Sequence, residues 1–213
     1  MRELDFIHRY EPASVVGGPP ILLLHGTGGD ENDLIDLGQA VAPGSALLSP
    51  RGKVLENGMP RFFRRLAEGV LDEADVRRRT DELADFVEAA RQRYGLAAPI
   101  ALGFSNGANI AAAILTQRPQ TLAGAVLLRA MVPLAQPANA DLAGKQVLIL
   151  SGAQDPIVPA ANAARLTAQL RERHALVEQR ILEAGHGLTN KDVELTTNWF
   201  KTRTATTSRL ATT

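Results

Sequence analysis

Residues 99–117 read PIALGFSNGANIAAAILTQ, a stretch in which two kinds of structural element meet. An apolar run ends at Gly103, and an alanine-rich run with helical character begins at Asn106. Between them stands Ser105, with a glycine two positions before it and another two positions after it. A Gly-x-Ser-x-Gly pattern between a strand and a helix is typical of a serine nucleophile held on a sharp turn. A serine in an ordinary turn is the alternative interpretation.

Short apolar runs alternate with helical patterns along the whole chain. This alternation predicts an α/β fold, with a mostly parallel central sheet and helices on both faces. A long helix directly follows the irregular segment near the middle of the first half, so we expect no large cap domain. The predicted strands are 21–26, 45–50, 99–103, 123–130, 145–152 and 177–185, and the predicted helices are 30–42, 72–95, 106–118, 159–174 and 188–202.

The chain of 213 residues is long enough for one domain with a sizeable core and short for two. We expect a single domain over residues 1–203. Residues 204–213 are polar and aperiodic, and we expect them to form a flexible tail.

Several local signals refine the predicted elements. Asp30 is a candidate N-cap for the helix 30–42, and Gly95 is a candidate C-cap for the helix 72–95. Residues 51–63 have no clean period and contain two glycines and a proline, which predicts a long loop.

Composition excludes several classes of function. Lys+Arg and Asp+Glu each number 23, and aromatic residues make up 4%, which argues against a nucleic-acid surface. The chain has no cysteine, so disulfides, thiolate metal sites and cysteine nucleophiles are excluded. The charged N-terminus does not resemble a secretory signal, and no apolar run approaches the roughly 20 residues needed to cross a bilayer. We therefore expect a cytoplasmic protein without a membrane span.

Polar side chains follow four of the predicted strands. Thr27, Ser105, Asp155 and His186 each stand just beyond the carboxyl end of a different strand. In a parallel sheet these ends share one edge, and ligands bind there. A serine nucleophile needs a base within reach, and the base needs a group that fixes its tautomer. Ser105, Asp155 and His186 supply these types in the order Ser, Asp, His, which is the order of α/β-hydrolases.

Two of these assignments compete with others. Asp155 could instead cap the helix that follows it, and Asp192 is then the alternative acid. His25 follows a strand as well, but we expect it to shape the turn through hydrogen bonds rather than to act in catalysis.

An acyl-transfer reaction also needs donors where negative charge develops on the carbonyl oxygen. The backbone N–H of Asn106, at the start of a helix, is one candidate. The backbone N–H of Thr27, in the glycine-rich turn after the first buried strand, is the second.

These motifs resemble the small α/β-hydrolases of the carboxylesterase, lysophospholipase and acyl-protein thioesterase group, most closely the bacterial phospholipase/carboxylesterase branch. The matching segments are LLLHGTGGDENDL (22–34), GFSNGANIAAAIL (103–115), LILSGAQDPIVP (148–159) and EAGHGLTNKDVELTTNWF (183–200). The resemblance implies that Ser105 is the nucleophile, His186 the general base and then acid, and Asp155 the orienting acid. It also implies an oxyanion hole formed by Thr27 and Asn106, and no metal or organic cofactor. The elbow reads GFSNGA here rather than the GFSQGG of eukaryotic-type thioesterases, which places the chain outside that branch.

The segment after the second predicted strand should lie over the active edge. Met59, Phe62 and Phe63 could line a substrate pocket there or pack the segment onto the body of the domain. Met131 follows the fourth predicted strand and is a further pocket candidate. Four arginines, Arg51, Arg61, Arg64 and Arg65, could bind an anionic substrate or form a solvated charged face.

We therefore predict a serine hydrolase that cleaves small carboxylic esters through an acyl-enzyme. One alternative is a thioesterase or lysophospholipase that takes longer acyl chains. Another is a ligand-binding protein on the same fold with little turnover. The expected partner is a small-molecule ester or thioester, without nucleic acid, and a homodimer is possible.

Overall fold

A computed structural model describes residues 4–210, with side chains described as far as residue 202. Its elements, in chain order, are β1 (His8–Glu11), β2 (Ile21–Leu24), α1 (Ile35–Val41), β3 (Leu47–Pro50), β4 (Val54–Glu56), β5 (Met59–Arg61), β6 (Arg65–Ala67), β7 (Val70–Leu71), α2 (Glu73–Tyr94), β8 (Ile100–Phe104), α3 (Asn106–Gln117), β9 (Gly124–Leu128), β10 (Gln146–Gly152), α4 (Ala160–Arg171), β11 (Leu176–Leu182) and α5 (Asn190–Leu210).

Seven strands form the central sheet, in the order β1-β3-β2-β8-β9-β10-β11. All neighbouring pairs are parallel except β1 with β3, which run antiparallel. The α/β fold with a mostly parallel sheet is thus confirmed. The parallel strands bring the ends of β2, β8, β10 and β11 to one edge of the sheet.

Apolar side chains pack on both faces of the sheet, as parallel strands between two helical layers require. Along β2 the side chains alternate, with Leu22 and Leu24 in the core cluster under α2, α3 and α4. Ile21 and Leu23 lie in the opposite cluster, together with residues of α1 and α5 such as Trp199. This two-sided burial explains why inner strands such as β2 and β9 are continuous apolar runs in the sequence.

The long helix α2 agrees with its predicted bounds. The Asp72 side chain accepts a hydrogen bond from the Asp75 N–H and caps the first turn. Gly95 ends the helix in the left-handed conformation, at φ 66°, where glycine has no steric cost.

The first helix is shorter than its pattern predicts, because α1 begins at Ile35 rather than near residue 30. The Asp30 carboxylate accepts a hydrogen bond from the Asn32 N–H at 2.8 Å, which stabilises a turn. The prediction that Asp30 caps this helix is therefore wrong, since residues 31–34 form turns between Asp30 and the start of the helix.

The segment predicted as a loop over residues 51–63 contains regular structure, and this prediction is also wrong. Strands β4 and β5 form an antiparallel hairpin within this segment, and β6 and β7 form a second hairpin just beyond it. Asn57 and Gly58 connect the first pair with φ of 52° and 80°, which is the sequence and geometry of a tight hairpin turn. Strands of three residues are too short to produce a recognisable period.

Helix α5 continues to Leu210, and so extends into the segment predicted as a flexible tail from residue 204. Residues 211–213 of that tail lie outside the described residues. No helix within residues 4–210 combines the length and the apolar character that crossing a bilayer requires.

Helix α3 packs unusually close to the sheet at its first turn. A Cβ added to Gly107 would overlap the carbonyl oxygen of Leu24 at the end of β2. A Cβ added to Gly103 would lie 2.6 Å from the carbonyl oxygen of Gly107 and 2.7 Å from the Ala108 backbone. The two glycines of the Gly-x-Ser-x-Gly pattern therefore allow the helix to start directly against the strand ends.

We predict that Gly107→Ala lowers the free energy of unfolding by about 1–3 kcal/mol, because the added methyl group forces α3 away from β2. Gly187→Ala is the matched control, since a Cβ at Gly187 has no heavy atom within 4 Å. Urea denaturation followed by circular dichroism measures both. Equal stability of the two variants would show that the close approach of α3 is not a constraint.

Candidate active site

Three of the predicted site residues form one chain of hydrogen bonds at the shared edge of the sheet. The Ser105 hydroxyl lies 3.0 Å from His186 Nε2. His186 Nδ1 lies 2.8 Å from the Asp155 carboxylate. The Asp155 side chain is 1% exposed, whereas that of His186 is 19% exposed. A buried carboxylate thus holds an imidazole whose other nitrogen faces a hydroxyl that solvent can approach.

The backbone at Ser105 adopts a conformation that non-glycine residues avoid, with φ 51° and ψ −113°. The Ser105 N–H donates to the carbonyl of Leu128 on the neighbouring strand, which fixes the turn to the sheet. The Ser105 carbonyl accepts the first bond of α3, from Asn109. The strained turn thereby presents the hydroxyl beyond the end of β8.

The Asp155 carboxylate contacts His186 and does not cap α4, whose N-cap position is occupied by Pro159. One oxygen faces His186, while the other accepts hydrogen bonds from the N–H groups of Ile157 and Val158 at 2.8 and 3.0 Å. The acid is therefore locked in a turn ahead of α4. Its orientation toward His186 is set by the backbone and not by the imidazole alone.

Arg129 holds the loop that carries His186, a role that the sequence does not reveal. Its side chain is fully buried, and its guanidinium donates to the carbonyl oxygens of Gly185 and Gly187 at 2.9 and 3.0 Å. These two residues flank His186 directly. The only sequence signal for Arg129 was its position after β9, close to the active edge.

Asp192, the alternative acid, is the counter-ion of this arginine. Its two oxygens accept from Arg129 at 2.7 and 2.9 Å, and one of them also accepts from the backbone and hydroxyl of Thr189. Since His186 bonds to Asp155 instead, the structure assigns Asp192 to the support of the loop.

Two backbone N–H groups beside Ser105 have no acceptor among the described residues. They belong to Thr27 and Asn106, both of which line the cavity that contains Ser105. The neighbouring N–H of Gly28 donates to the Pro60 carbonyl, so the turn after β2 is anchored while Thr27 is left uncommitted. Such donors suit a developing oxyanion.

His25 links the turn after β2 to the following hairpin segment. The Gly52 N–H donates to His25 Nε2 at 3.0 Å, so Nδ1 carries the proton and donates to the Gly26 carbonyl at 2.6 Å. Burial lowers the pKa of His25 below its ordinary value, although the Gly26 carbonyl and nearby Asp33 oppose this shift. His25 is thus a neutral structural histidine.

The cavity at the active edge has a volume of about 250 Å³. Met131 lines it, as predicted for a pocket residue, together with apolar side chains of Leu71, Phe104, Ile157 and Val158. The position of Met131 in the cavity wall is fixed, because its N–H donates to the Asn109 side chain at 2.8 Å.

Phe62 and Phe63 lie in the core under the cavity rather than on its wall, and are 2% and 0% exposed. The Phe62 N–H donates to the Asn106 side chain, which holds this segment against the elbow. Met59 packs against Gly28 and is 40% exposed. None of the three lines the cavity, because the chain beyond β5 directs Phe62 and Phe63 into the core and Met59 lies against the turn after β2.

The four arginines of the 51–65 segment divide into two pairs. Arg51 forms a two-point ion pair with Glu31, and Arg64 pairs with Asp72, both away from the cavity. Arg61 and Arg65 line the cavity itself. Within the described residues there is no cluster of three or more His, Cys, Asp or Glu side chains that could hold a metal ion.

A sequence model of the family described as Phospholipase/Carboxylesterase matches residues 18–203. The chain belongs to this family. It is 44% identical over 183 residues to "Putative hydrolase MhqD" of Bacillus subtilis (strain 168), covering 85% of this chain and 92% of that protein. The predicted family is thus confirmed.

Solved structures agree with this assignment. The Bacillus cereus carboxylesterase has a TM-score of 0.91 and 44% identity, covering 93% of this chain and 94% of that one. A carboxylesterase from Mesorhizobium loti has a TM-score of 0.88 and 30% identity, covering 94% of this chain and 97% of that one. The α/β-hydrolase fold and the class of carboxylic-ester hydrolase follow from the family.

We predict that His25 makes the stability of the protein sensitive to acid. Its pKa is lowered in the folded state, so the unfolded chain binds more protons below the ordinary value of about 6.5. The stabilisation is complete above that pH and is lost as the pH falls through the lowered pKa. Denaturation at a series of pH values should show a steeper loss between pH 7 and 5 for wild type than for His25→Gln. Parallel curves would contradict the assignment of His25 as a buried neutral histidine.

We predict that Asp192→Asn lowers the free energy of unfolding by about 3–5 kcal/mol, because it leaves the buried Arg129 guanidinium without its counter-ion. Glu194→Gln, on the same helix, removes one partner of an exposed pair with Lys191 and should leave stability nearly unchanged. Urea denaturation compares the two. A similar small loss in both variants would mean that the Arg129–Asp192 pair does not support the fold.

Proposed function

We propose that the protein hydrolyses small carboxylic esters through an acyl-enzyme formed on Ser105. The hydrogen-bond chain from Asp155 through His186 to Ser105 carries this proposal. His186 acts as general base and then as general acid, and Asp155 fixes the tautomer in which Nδ1 carries the proton.

In the first half of the reaction, the Ser105 oxygen attacks the ester carbonyl while its proton passes to His186 Nε2. The carbonyl oxygen becomes an oxyanion, and the N–H groups of Thr27 and Asn106 stabilise it. Loss of one such donor costs other acyl-transfer enzymes about 3–4 kcal/mol. His186 then gives its proton to the leaving alcohol, and the acyl-enzyme remains.

In the second half, a water molecule gives a proton to His186 and attacks the acyl carbon. The tetrahedral intermediate breaks down as His186 returns that proton to the Ser105 oxygen. The carboxylic acid leaves, and the enzyme is restored. Every proton in this cycle moves through His186 Nε2, which is why the position of its loop matters.

The size of the cavity favours short substrates. Its volume of about 250 Å³ lies below the roughly 300–1,000 Å³ of typical small-molecule sites. A thioesterase or lysophospholipase of long acyl chains needs an extended apolar groove. The cavity offers instead a short apolar wall, formed by residues such as Phe104 and Met131.

We predict that kcat/KM falls from p-nitrophenyl acetate and butyrate to the octanoate, because a cavity of about 250 Å³ is too small for an eight-carbon acyl chain together with the nitrophenyl leaving group. A maximum at octanoate would favour the alternative with long acyl chains. Absence of turnover above background on all three esters would favour the ligand-binding alternative.

The same assay tests the assigned roles. Ser105→Ala should reduce hydrolysis to background, and Asp155→Asn should lower kcat by about 10⁴-fold because it favours the wrong imidazole tautomer. Circular dichroism and thermal unfolding of each variant control for misfolding. Substantial turnover by folded Ser105→Ala would contradict the acyl-enzyme mechanism.

A further inference from the structure

Two arginines stand on the wall of the cavity that contains Ser105. Arg61, at the end of β5, is 3% exposed, and Arg65, at the start of β6, is half-buried. No acidic side chain lines this cavity among the described residues. The charge that a substrate meets beside Ser105 is therefore positive.

A single carboxylate serves both arginines. Glu56 lies 3.1 Å from Arg61 Nη1 and 2.8 Å from Arg65 Nε. Within residues 4–202 no other carboxylate pairs with either guanidinium. The group of three therefore keeps one net positive charge at the cavity.

Several donors of the two guanidinium groups are uncommitted. Arg61 uses Nε for the Phe63 carbonyl at 3.1 Å and Nη1 for the Thr27 hydroxyl at 2.8 Å. Its Nη2, and both terminal nitrogens of Arg65, make no hydrogen bond to the residues that the structure describes. A guanidinium carries five N–H donors, so this site has capacity for an anionic acceptor.

The electrostatics of Arg61 are unfavourable without such an acceptor. Burial lowers the pKa of Arg61, and the like charge of Arg65 lowers it further, while Glu56 opposes both effects only in part. A buried guanidinium costs free energy unless it is paired and hydrogen-bonded. An anion bound between the two arginines would add to the pairing that Glu56, shared between them, supplies only in part.

The position of Arg61 places this charge beside the reacting carbonyl. Its hydrogen bond to the Thr27 side chain connects it to the residue whose backbone N–H is the proposed oxyanion donor. Because Arg61, Thr27 and Ser105 line the same small cavity, an anionic group of the substrate that binds Arg61 would need only a short link to the ester carbonyl. Short esters of dicarboxylic acids meet this requirement within the small cavity.

We propose that the enzyme prefers esters whose acyl part carries a second, ionised carboxylate, and that Arg65 and Arg61 bind this carboxylate. The inference rests on the proposed esterase function. A planar guanidinium binds a carboxylate through two parallel hydrogen bonds, which makes arginine well suited to this recognition.

The test compares monomethyl succinate with its neutral analogue methyl succinamate, in which an amide of the same size replaces the carboxylate. Release of methanol is followed by NMR. We expect kcat/KM to be about 10- to 100-fold higher for monomethyl succinate, the range that charge-assisted hydrogen bonds provide. Most of the difference should appear in KM, since the carboxylate contact exists before the reaction begins.

Arg65→Met should bring the ratio of the two kcat/KM values toward one, and Arg65→Lys should restore part of the preference. Arg64→Met is the matched control, because Arg64 is 64% exposed, pairs with Asp72 and lies away from the cavity. It should keep the wild-type ratio. Arg65 is chosen over Arg61 because its partial exposure makes loss of folding less of a risk.

A wild-type ratio near one, or an Arg65→Met variant that keeps the full preference, would overturn the proposal. So would failure to hydrolyse either methyl ester by an enzyme that turns over p-nitrophenyl acetate. Failure on p-nitrophenyl acetate as well would instead refute the esterase function on which the inference depends, and the two failures are therefore distinguishable.

Discussion

The close contact between the first turn of α3 and the ends of β2 and β8 is the constraint on which the site depends. Because Gly103 and Gly107 have no side chains, the helix starts directly against the Leu24 carbonyl. Within this turn Ser105 adopts a positive φ. The result is a hydroxyl fixed beyond the sheet and an N–H of Asn106 beside it. The strain is local, and the surrounding core of both sheet faces over-determines it.

The other half of the site is built from distant parts of the chain and is held by buried polar contacts. Arg129, just after β9, donates hydrogen bonds to the carbonyls on both sides of His186, and Asp192 from α5 neutralises its charge. His25 has a similar role near Thr27, where its ring joins the turn after β2 to Gly52. Replacing Arg129 or His25 by an apolar residue would leave the loop it holds without a fixed position. Each side chain bonds to backbone groups that need a hydrogen-bond partner.

The sequence predicted the family, the fold and the residues that the structure brings together, because these depend on local signals. Ser105, Asp155 and His186 each follow a predicted strand, and the carboxyl ends of parallel strands meet at one sheet edge, which places the three near one another. The β4–β5 and β6–β7 hairpins were missed because such short strands have no period. The burial of Phe62 and Phe63 and the role of Arg129 depend on tertiary contacts, which no local pattern encodes.

The most direct test of the central claim is the intact mass of the protein after exposure to a small fluorophosphonate, followed by peptide mapping. A serine activated by His186 displaces fluoride and forms a stable phosphonyl ester. We expect one adduct on wild type, located on the peptide that contains Ser105, and no adduct on Ser105→Ala. An adduct on another residue, or equal labelling of the variant, would contradict the assignment of Ser105 as the nucleophile.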